Sequence, residues 1–410
     1  MLKSLDRTPS TPRVFARRRM SLTEFLVRRL IGRATAGRLL VHLPADETFA
    51  IGRETPGARA DVAVHRRRAL WRMFIGGDVA LAQAYRDGDW TTSDLYALLN
   101  WGVQNEAALY SATSGLIAPR SARYVQHLLR ANTRRNSRRN IAAHYDLGNE
   151  FYAAWLDDGM QYSSGIYAGA ETTLAAAQAV KLERIAALLD LKGGERVLEI
   201  GCGWGALAEH LGAVHHCHVT GLTLSERQRD YACARLNRRG LAARNDIRLQ
   251  DYRDVEGTFD RIVSIEMLEA VGEAYWPQYF AKLRQCLVPG GRAVLQVICI
   301  APDRYNAYRQ RPDFIQTHIF PGGALLTADI VLGQAERAGL KATSVEMFGA
   351  SYGRTLADWR QRFNAAWPTI SALGFDERFR RLWNYYLAYC QVGFEHGALD
   401  VGLFRLERPR

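Results

Sequence analysis

No apolar run in this chain approaches the 18 or more residues that a membrane-spanning helix needs, so a span is not expected. The early stretch MSLTEFLVRRLIG lacks the unbroken apolar centre of a signal peptide, because Glu24, Arg28 and Arg29 interrupt it. A cytoplasmic location is therefore the expectation. The six cysteines include no C-x-x-C pair and read as reduced, mostly buried thiols. His215, His216 and His218 cluster around Cys217, but neighbours on one strand point to opposite faces, and no metal site is expected. Beyond residue 140 the chain also lacks any excess of charge: 30 Lys and Arg stand against 31 Asp and Glu. Residues 1–140 hold 24 Lys and Arg against 11 Asp and Glu, and so carry the whole net charge of +12. A basic module joined to a neutral one suggests an anionic partner surface, either nucleic acid or lipid headgroups.

What is present is ample for a folded core: 48% hydrophobic and 23% charged residues in 410, a length that suggests two or three domains. Residues 1–20 are rich in Pro, Ser and Arg. Leu22, Phe25, Leu26, Leu30 and Ile31 then fall at helical spacing, interleaved with Arg28, Arg29 and Arg33. Such a helix either lies at a lipid interface or packs on its own domain. Patterns to about residue 130 look mainly helical, and the arginine-dense RANTRRNSRRN at 130–140 marks a boundary, which we draw at 135/136. From there strands and helices alternate as in a doubly wound α/β sheet: RVLEI, HVTGLTL, DIRLQD, FDRIVSI and RAVLQVICI as strands, with Ser225 and Gln228 forming a capping-box pattern. Ligands in such sheets bind beyond the carboxyl ends of the strands, so Glu199, Thr223, Asp251, Glu266 and Gln296 are expected at one cleft. A last strand near 341–348 precedes an aromatic helical region in which Trp359, Phe363, Trp367, Trp383, Tyr385 and Tyr386 form either a core stripe or the wall of an apolar tunnel.

The stretch VLEIGCGWGAL, 197–207, carries the chemistry. Gly201, Gly203 and Gly205 are spaced one residue tighter than the G-x-G-x-x-G of dinucleotide oxidoreductases, and VTGLTLSERQ offers no carboxylate before Ser225 for a ribose. A tighter glycine loop after an acidic strand end, here Glu199, is the pattern of S-adenosylmethionine (SAM) methyltransferases.

AHYDLGNEFYAAWL, MQYSSGIY, VLEIGCGWGALA, GLTLSERQ, LQDYRD, FDRIVSIEMLEAVG, HIFPGG, RFNAAWP and YYLAYC together resemble the cyclopropane-fatty-acyl-phospholipid synthases and the related mycolic acid cyclopropane synthases, in order and spacing over about 140–395. The resemblance implies a Rossmann-like class I SAM methyltransferase sheet with helical cap insertions at about 350–396, behind a smaller, mainly helical N-terminal domain. It implies SAM contacts at Tyr162, Ser163, Gly201, Gly203, Thr223, Leu224 and Gln228, with Asp251 and Tyr252 flanking the adenine. It also implies methyl transfer to a cis alkene of an unsaturated phospholipid, followed by proton loss to a bound bicarbonate. Of the residues that hold the anion in the family, Glu269, Tyr352 and the backbone position Ile298 are kept. Ser164 stands at the cysteine position and Gln296 at the histidine position. Both can donate hydrogen bonds, so a bicarbonate site stays open. Glu266, where a glycine is common, would repel an anion if it faces the site. A cyclopropane and a methyl-branched or methylene-bearing chain are thus both products to consider. The implied partners are the lipid substrate and an anionic membrane on whose inner face the protein works peripherally; a homodimer is compatible with the sequence.

Nucleic acid is not an expected partner. IEMLEAVG is unlike the N-P-P-Y segment of amino-directed base methylases, and no Pro-Cys pair supplies a cytosine nucleophile. A small-molecule N-methyltransferase shares these motifs but gives no reason for the basic N-terminal third. The intact glycine loop, Glu269 and Tyr352 argue against a non-catalytic lipid binder.

Overall fold

The computed structural model describes residues 20–52, 56–113 and 147–410. The N-terminal tail, the arginine-dense connector and the 135/136 boundary lie outside the described residues.

Residues 20–113 are mostly helical, in the helices Leu22–Ile31, Arg68–Arg86, Leu95–Gln104 and Glu106–Thr113. They also hold a four-stranded sheet of order β2-β1-β3-β4 that the sequence reading did not anticipate: β1 (Arg38–Leu43), β2 (Glu47–Gly52), β3 (Arg59–Val64) and β4 (Trp90–Thr91). β1 alternates as a half-buried strand must, with Leu39, Val41 and Leu43 inward. Its hairpin partner β2 follows a turn in which Ala45 and Asp46 take positive φ of 71° and 57°. Behind this sheet Asp89 is fully buried and accepts from Arg66, Arg68 and Arg72, with Arg68 donating at 2.7 and 2.9 Å. Several guanidiniums therefore neutralise one buried carboxylate, and these arginines are structural. The helix Leu22–Ile31 buries Val27 and most of Glu24, yet leaves Leu22 74% and Phe25 45% exposed.

The larger sheet has the order β10-β11-β9-β8-β5-β6-β7. β5 (Arg196–Ile200), β6 (His218–Thr223), β7 (Asn245–Leu249), β8 (Phe259–Ile265) and β9 (Leu287–Ile300) run parallel. β11 (Leu399–Glu407) lies antiparallel between β9 and β10 (Lys341–Met347). This is the class I SAM methyltransferase sheet. Strand order reverses beside β5, whose neighbours are β6 on one side and β8 on the other, so the crevice for a ligand opens at the carboxyl end of β5. The central strands β5 and β9 are buried on both faces, and β5 accordingly reads as an apolar run, Val197, Leu198 and Ile200, broken only by Glu199.

The helices Gly349–Ala365, Trp367–Ala372 and Glu377–Glu395 form the cap. The last packs on the N-terminal helices Arg68–Arg86 and Leu95–Gln104. Arg378 meets Asp87 at 2.7 Å, Tyr96 donates to Glu395 at 2.5 Å, and the rings of Tyr85 and Tyr385 lie 6.0 Å apart. One apolar cluster runs from Leu39 and Trp101 through Tyr385 to Trp155 and Trp359. No helix among the described residues is long and apolar enough to cross a membrane.

Candidate functional site

β5 ends at Ile200, and the chain turns at Gly201, Gly203 and Gly205, whose φ values of 87°, 52° and 84° only glycine adopts without strain. A Cβ placed on Gly203 would meet no protein atom within 4 Å, so the space before the turn is open to a ligand. Glu199, just inside the strand, is buried with no hydrogen-bond partner on Oε2. Burial pushes its carboxyl up to about 8, with Lys181 opposing. An open turn beside an unsatisfied buried acceptor suits a ligand with hydroxyl or amino donors, which SAM has.

At the end of β6, Thr223 donates to Gln228 Oε1 at 2.8 Å, and Leu224 is half-buried beside them. The capping box is only half formed. Ser225 caps the helix Glu226–Arg238 through the Gln228 N–H, but the Gln228 side chain turns to Thr223 instead of the cap backbone. Beyond β7, the Asp251 carboxylate is gripped by Arg253 at 2.6 and 2.9 Å. Tyr252 packs edge-on to Tyr279, its hydroxyl buried without a partner.

The third group sits above β8 and β9. Tyr162 shares a 2.9 Å hydroxyl contact with Tyr386. Ser163 receives Lys181 Nζ on its hydroxyl at 2.7 Å and Gln178 on its carbonyl at 2.8 Å. Lys181 is buried, and burial brings its ammonium down to about 8 against the pull of Glu266, Asp157 and Glu199. Neither Lys181 nor Gln178 was singled out from sequence. The signal was a lysine on the apolar stripe of the helix Leu174–Leu189, in step with Ala177 and Ile185.

Glu266 does face the site. It follows β8 at φ 49°, and its carboxylate takes three hydrogen bonds. Oε1 accepts the Ser164 N–H at 2.9 Å and Gln296 Nε2 at 2.8 Å, while Oε2 accepts the Tyr352 hydroxyl at 2.6 Å. Two expectations are corrected by this. The Ser164 hydroxyl donates to the Gly165 carbonyl at 2.9 Å and is not offered to an anion. Gln296 and Tyr352 do hold an anion, but it is the chain's own carboxylate. Ile298 presents its N–H, which donates to Glu269. Glu269 is half-buried with its shielded Oε2 unpartnered, and desolvation together with the Glu266 charge raises its carboxyl to about 8. Glu266 is raised too, chiefly by burial, but its three donors and Lys181 favour the charged form. Of the two carboxyls, Glu266 is therefore the more readily ionised and Glu269 the more readily protonated.

Aromatic rings surround this group. Trp359 lies 5.3 Å from Tyr162 and 5.7 Å from Trp155, and Tyr352 stacks on Phe394 at 4.3 Å. Phe363, Trp383, Tyr385 and Tyr386 are buried in the same core, with Trp367 packed at its edge. The histidine-rich stretch does not converge: His218 opens β6, and His215 instead meets His210 and Glu183, with one ligand atom of each within 4.8 Å of the others. Of that trio His210 sits midway along the helix Ala206–Val214, His215 caps its end away from the glycine turn, and Glu183 comes from the helix Leu174–Leu189.

Comparison with known proteins agrees with this geometry. Residues 132–404 match the family model described as mycolic acid cyclopropane synthetase. The tuberculostearic acid methyltransferase UfaA1 of Mycobacterium tuberculosis is 35% identical over 98% of this chain and 96% of its own. The cyclopropane-fatty-acyl-phospholipid synthase of Escherichia coli is 34% identical over 89% of this chain and 94% of its own. The solved cyclopropane synthase MmaA2 of M. tuberculosis superposes with a TM-score of 0.62 at 29% identity, over 66% of this chain and 98% of its own. With the glycine turn at the sheet's switch point and matches of this extent, the chain belongs to the mycolic acid cyclopropane synthetase family and is a SAM-dependent methyltransferase.

Proposed function

We propose that the protein transfers a one-carbon unit from SAM to the cis double bond of an unsaturated acyl chain in membrane phospholipid. The observation that carries this reading is a polar group of the half-buried Glu266 and Glu269 and the buried Gln296 and Tyr352, walled by Trp155, Trp359 and Phe394, beside an open glycine turn. When bound, SAM supplies an electrophilic sulfonium methyl. Gly201 and Gly203 let the backbone approach it, and Tyr162, Ser163, Glu199, Thr223, Leu224, Gln228, Asp251 and Tyr252 surround it. An alkene is a weak nucleophile, and its alkylation leaves a positive charge on the acyl chain. The aromatic wall keeps water from that charge and offers it ring faces. Glu269, with Oε2 left unbonded by the protein, is placed to steady the charge or orient the group that takes up the proton.

Loss of the proton from the new methyl closes a cyclopropane; loss from a chain carbon next to the cation leaves a methyl-branched unsaturated chain, and a methylene forms only if a hydride first shifts to bring the cation onto the methyl-bearing carbon. Ring closure is the reading that the family resemblance implies. The second reading is favoured by Glu266, which fills the anion cradle itself, and a relative named as a methyltransferase, not a cyclopropane synthase, supports it. Incubation of the enzyme with SAM and a monounsaturated phospholipid should add one carbon to the acyl chain, detected by mass spectrometry. Proton NMR then separates the isomers, high-field ring protons against vinylic ones. No one-carbon gain in any phospholipid acyl chain contradicts the proposal.

The substrate lies in a bilayer, and the basic N-terminal unit is suited to reach it. The helix Leu22–Ile31 offers Leu22 and Phe25 to solvent with Arg29 exposed on the same side. Each cationic side chain adds about 1 kcal/mol near an anionic surface, screened over about 8 Å at physiological salt. Sedimentation with anionic vesicles should fall with added salt, with Phe25→Asp, and with neutralisation of Arg134, Arg135, Arg138 and Arg139. Equal binding to neutral and anionic vesicles at all salt concentrations would count against membrane docking at the inner face.

A further inference from the structure

The Glu266 carboxylate is costly on two counts. A non-glycine residue at positive φ is strained by about 1–2 kcal/mol, and a carboxylate removed from water must be compensated by specific donors. Here the compensation is complete on one oxygen and incomplete on the other. A carboxylate has about four lone-pair sites. Oε1 uses both of its sites, on the Ser164 N–H and the Gln296 amide. Oε2 receives the Tyr352 hydroxyl alone, at 2.6 Å. One lone pair on Oε2 of this half-buried carboxylate is therefore left without a protein donor, next to the aromatic rings of the cap. Tyr352 remains a donor throughout, because burial and the Glu266 charge push its phenol well above the ordinary range. The groups facing Glu266 are Tyr352 from the cap, Lys181 from the helix Leu174–Leu189, and Glu269 from the segment after β8. A purely structural carboxylate would be expected to have both oxygens saturated.

We infer that Glu266 is the built-in base of this enzyme, and that its Oε2 accepts the proton lost after methylation in place of a free anion. The inference rests on the lipid-alkylation reading above. The step balances within the chain's own groups. Once the alkene pair has formed the new C–C bond, a C–H bond on the new methyl or on a carbon next to the cation breaks. Its electron pair closes the ring or forms a C=C bond, and the proton moves to Oε2. The neutral acid returns that proton to water when product leaves. No bicarbonate is consumed or required, and none fits, because Ser164, Gln296 and Tyr352 are already engaged by a tethered carboxylate.

Two variants and two readouts test this. Glu266→Gln keeps the shape and removes the base. Glu266→Gly empties the cradle and relieves the positive φ, which offsets part of the cost of leaving its three donors without an acceptor. Wild-type turnover should be the same within about twofold in carbonate-free and bicarbonate-supplemented buffer. Glu266→Gln should lose at least about 100-fold, the scale of a missing general base, with SAM affinity changed less than about threefold. Glu266→Gly should gain at least about tenfold when bicarbonate is added. Carbon-13-labelled bicarbonate should show saturable binding by NMR to Glu266→Gly and not to wild type, a measurement that needs no lipid substrate. Bicarbonate binding by the wild-type protein, wild-type turnover that falls on bicarbonate removal, or a fully active Glu266→Gln variant would each overturn the assignment. A wild-type protein that neither binds bicarbonate nor alkylates phospholipid would contradict the substrate reading and leave the filled cradle standing.

Discussion

Gly203→Leu is expected to weaken SAM binding by at least about 100-fold while leaving the chain folded. The two effects separate because of where the side chain goes. A Cβ at Gly203 meets no protein atom within 4 Å, so the protein itself opposes the change only through the positive φ of 52°. That strain costs about 1–2 kcal/mol, a fall of a few degrees in Tm for a protein of this size. Any larger loss must come from filling the space in which the ligand lies. Gly240 is a matched control: its φ is 70°, a Cβ there also meets nothing within 4 Å, and it follows the end of the helix Glu226–Arg238, at the opposite end from Ser225. Gly240→Leu should lower Tm by a similar amount and leave calorimetric SAM affinity unchanged. Equal SAM affinities for wild type and Gly203→Leu, or tight binding of NAD, would remove the glycine turn from the cofactor site.

Tyr352→Phe is expected to reduce turnover by about 10- to 100-fold with SAM affinity unchanged. The ring stays in place, since Phe keeps the stacking on Phe394 and the edge contact with Trp359 at 6.1 Å. What is lost is the hydroxyl that donates to Glu266, and the sign of the result follows. That hydrogen bond lowers the Glu266 pKa, so its removal raises it. A base must be deprotonated to act, and the acid limb of the pH–rate profile should therefore move to higher pH in the variant. A variant with a lower rate but an unmoved acid limb would show that Tyr352 acts on the substrate and not through Glu266.

Much of the catalytic sheet was legible because its strands are short apolar runs punctuated by turns, and because the glycine spacing has a steric cause. The site was legible as a set of positions, less so as contacts. Which way Glu266 points depends on a single positive φ after β8, and no local pattern reveals it. Ser164 lies beside Glu266, but its backbone, not its hydroxyl, makes the bond. Gln228 looked like a capping residue because the spacing from Ser225 is right; Thr223, five residues upstream, competes for the same side chain and wins. The N-terminal sheet escaped notice for a different reason. Its hairpin turns through Pro44, Ala45 and Asp46, without the Asn-Gly or Asp-Gly pair that would advertise positive φ. Leu22 and Phe25 could be placed on one helix from sequence, but only the structure shows that Val27 takes the core and leaves them outside.

The helix Glu377–Glu395 contributes Tyr385 to the contact with Tyr85 of the N-terminal unit and Tyr386 to the contact with Tyr162 of the site. A single span of backbone is thus a party wall between two rooms, and neither room has a wall of its own. The two parts that the charge distribution separates so cleanly share one continuous apolar cluster. Cooperativity follows from that shared partition: loosening the basic unit bares the outer face of the cap, and the cap in turn carries the ring that meets Tyr162.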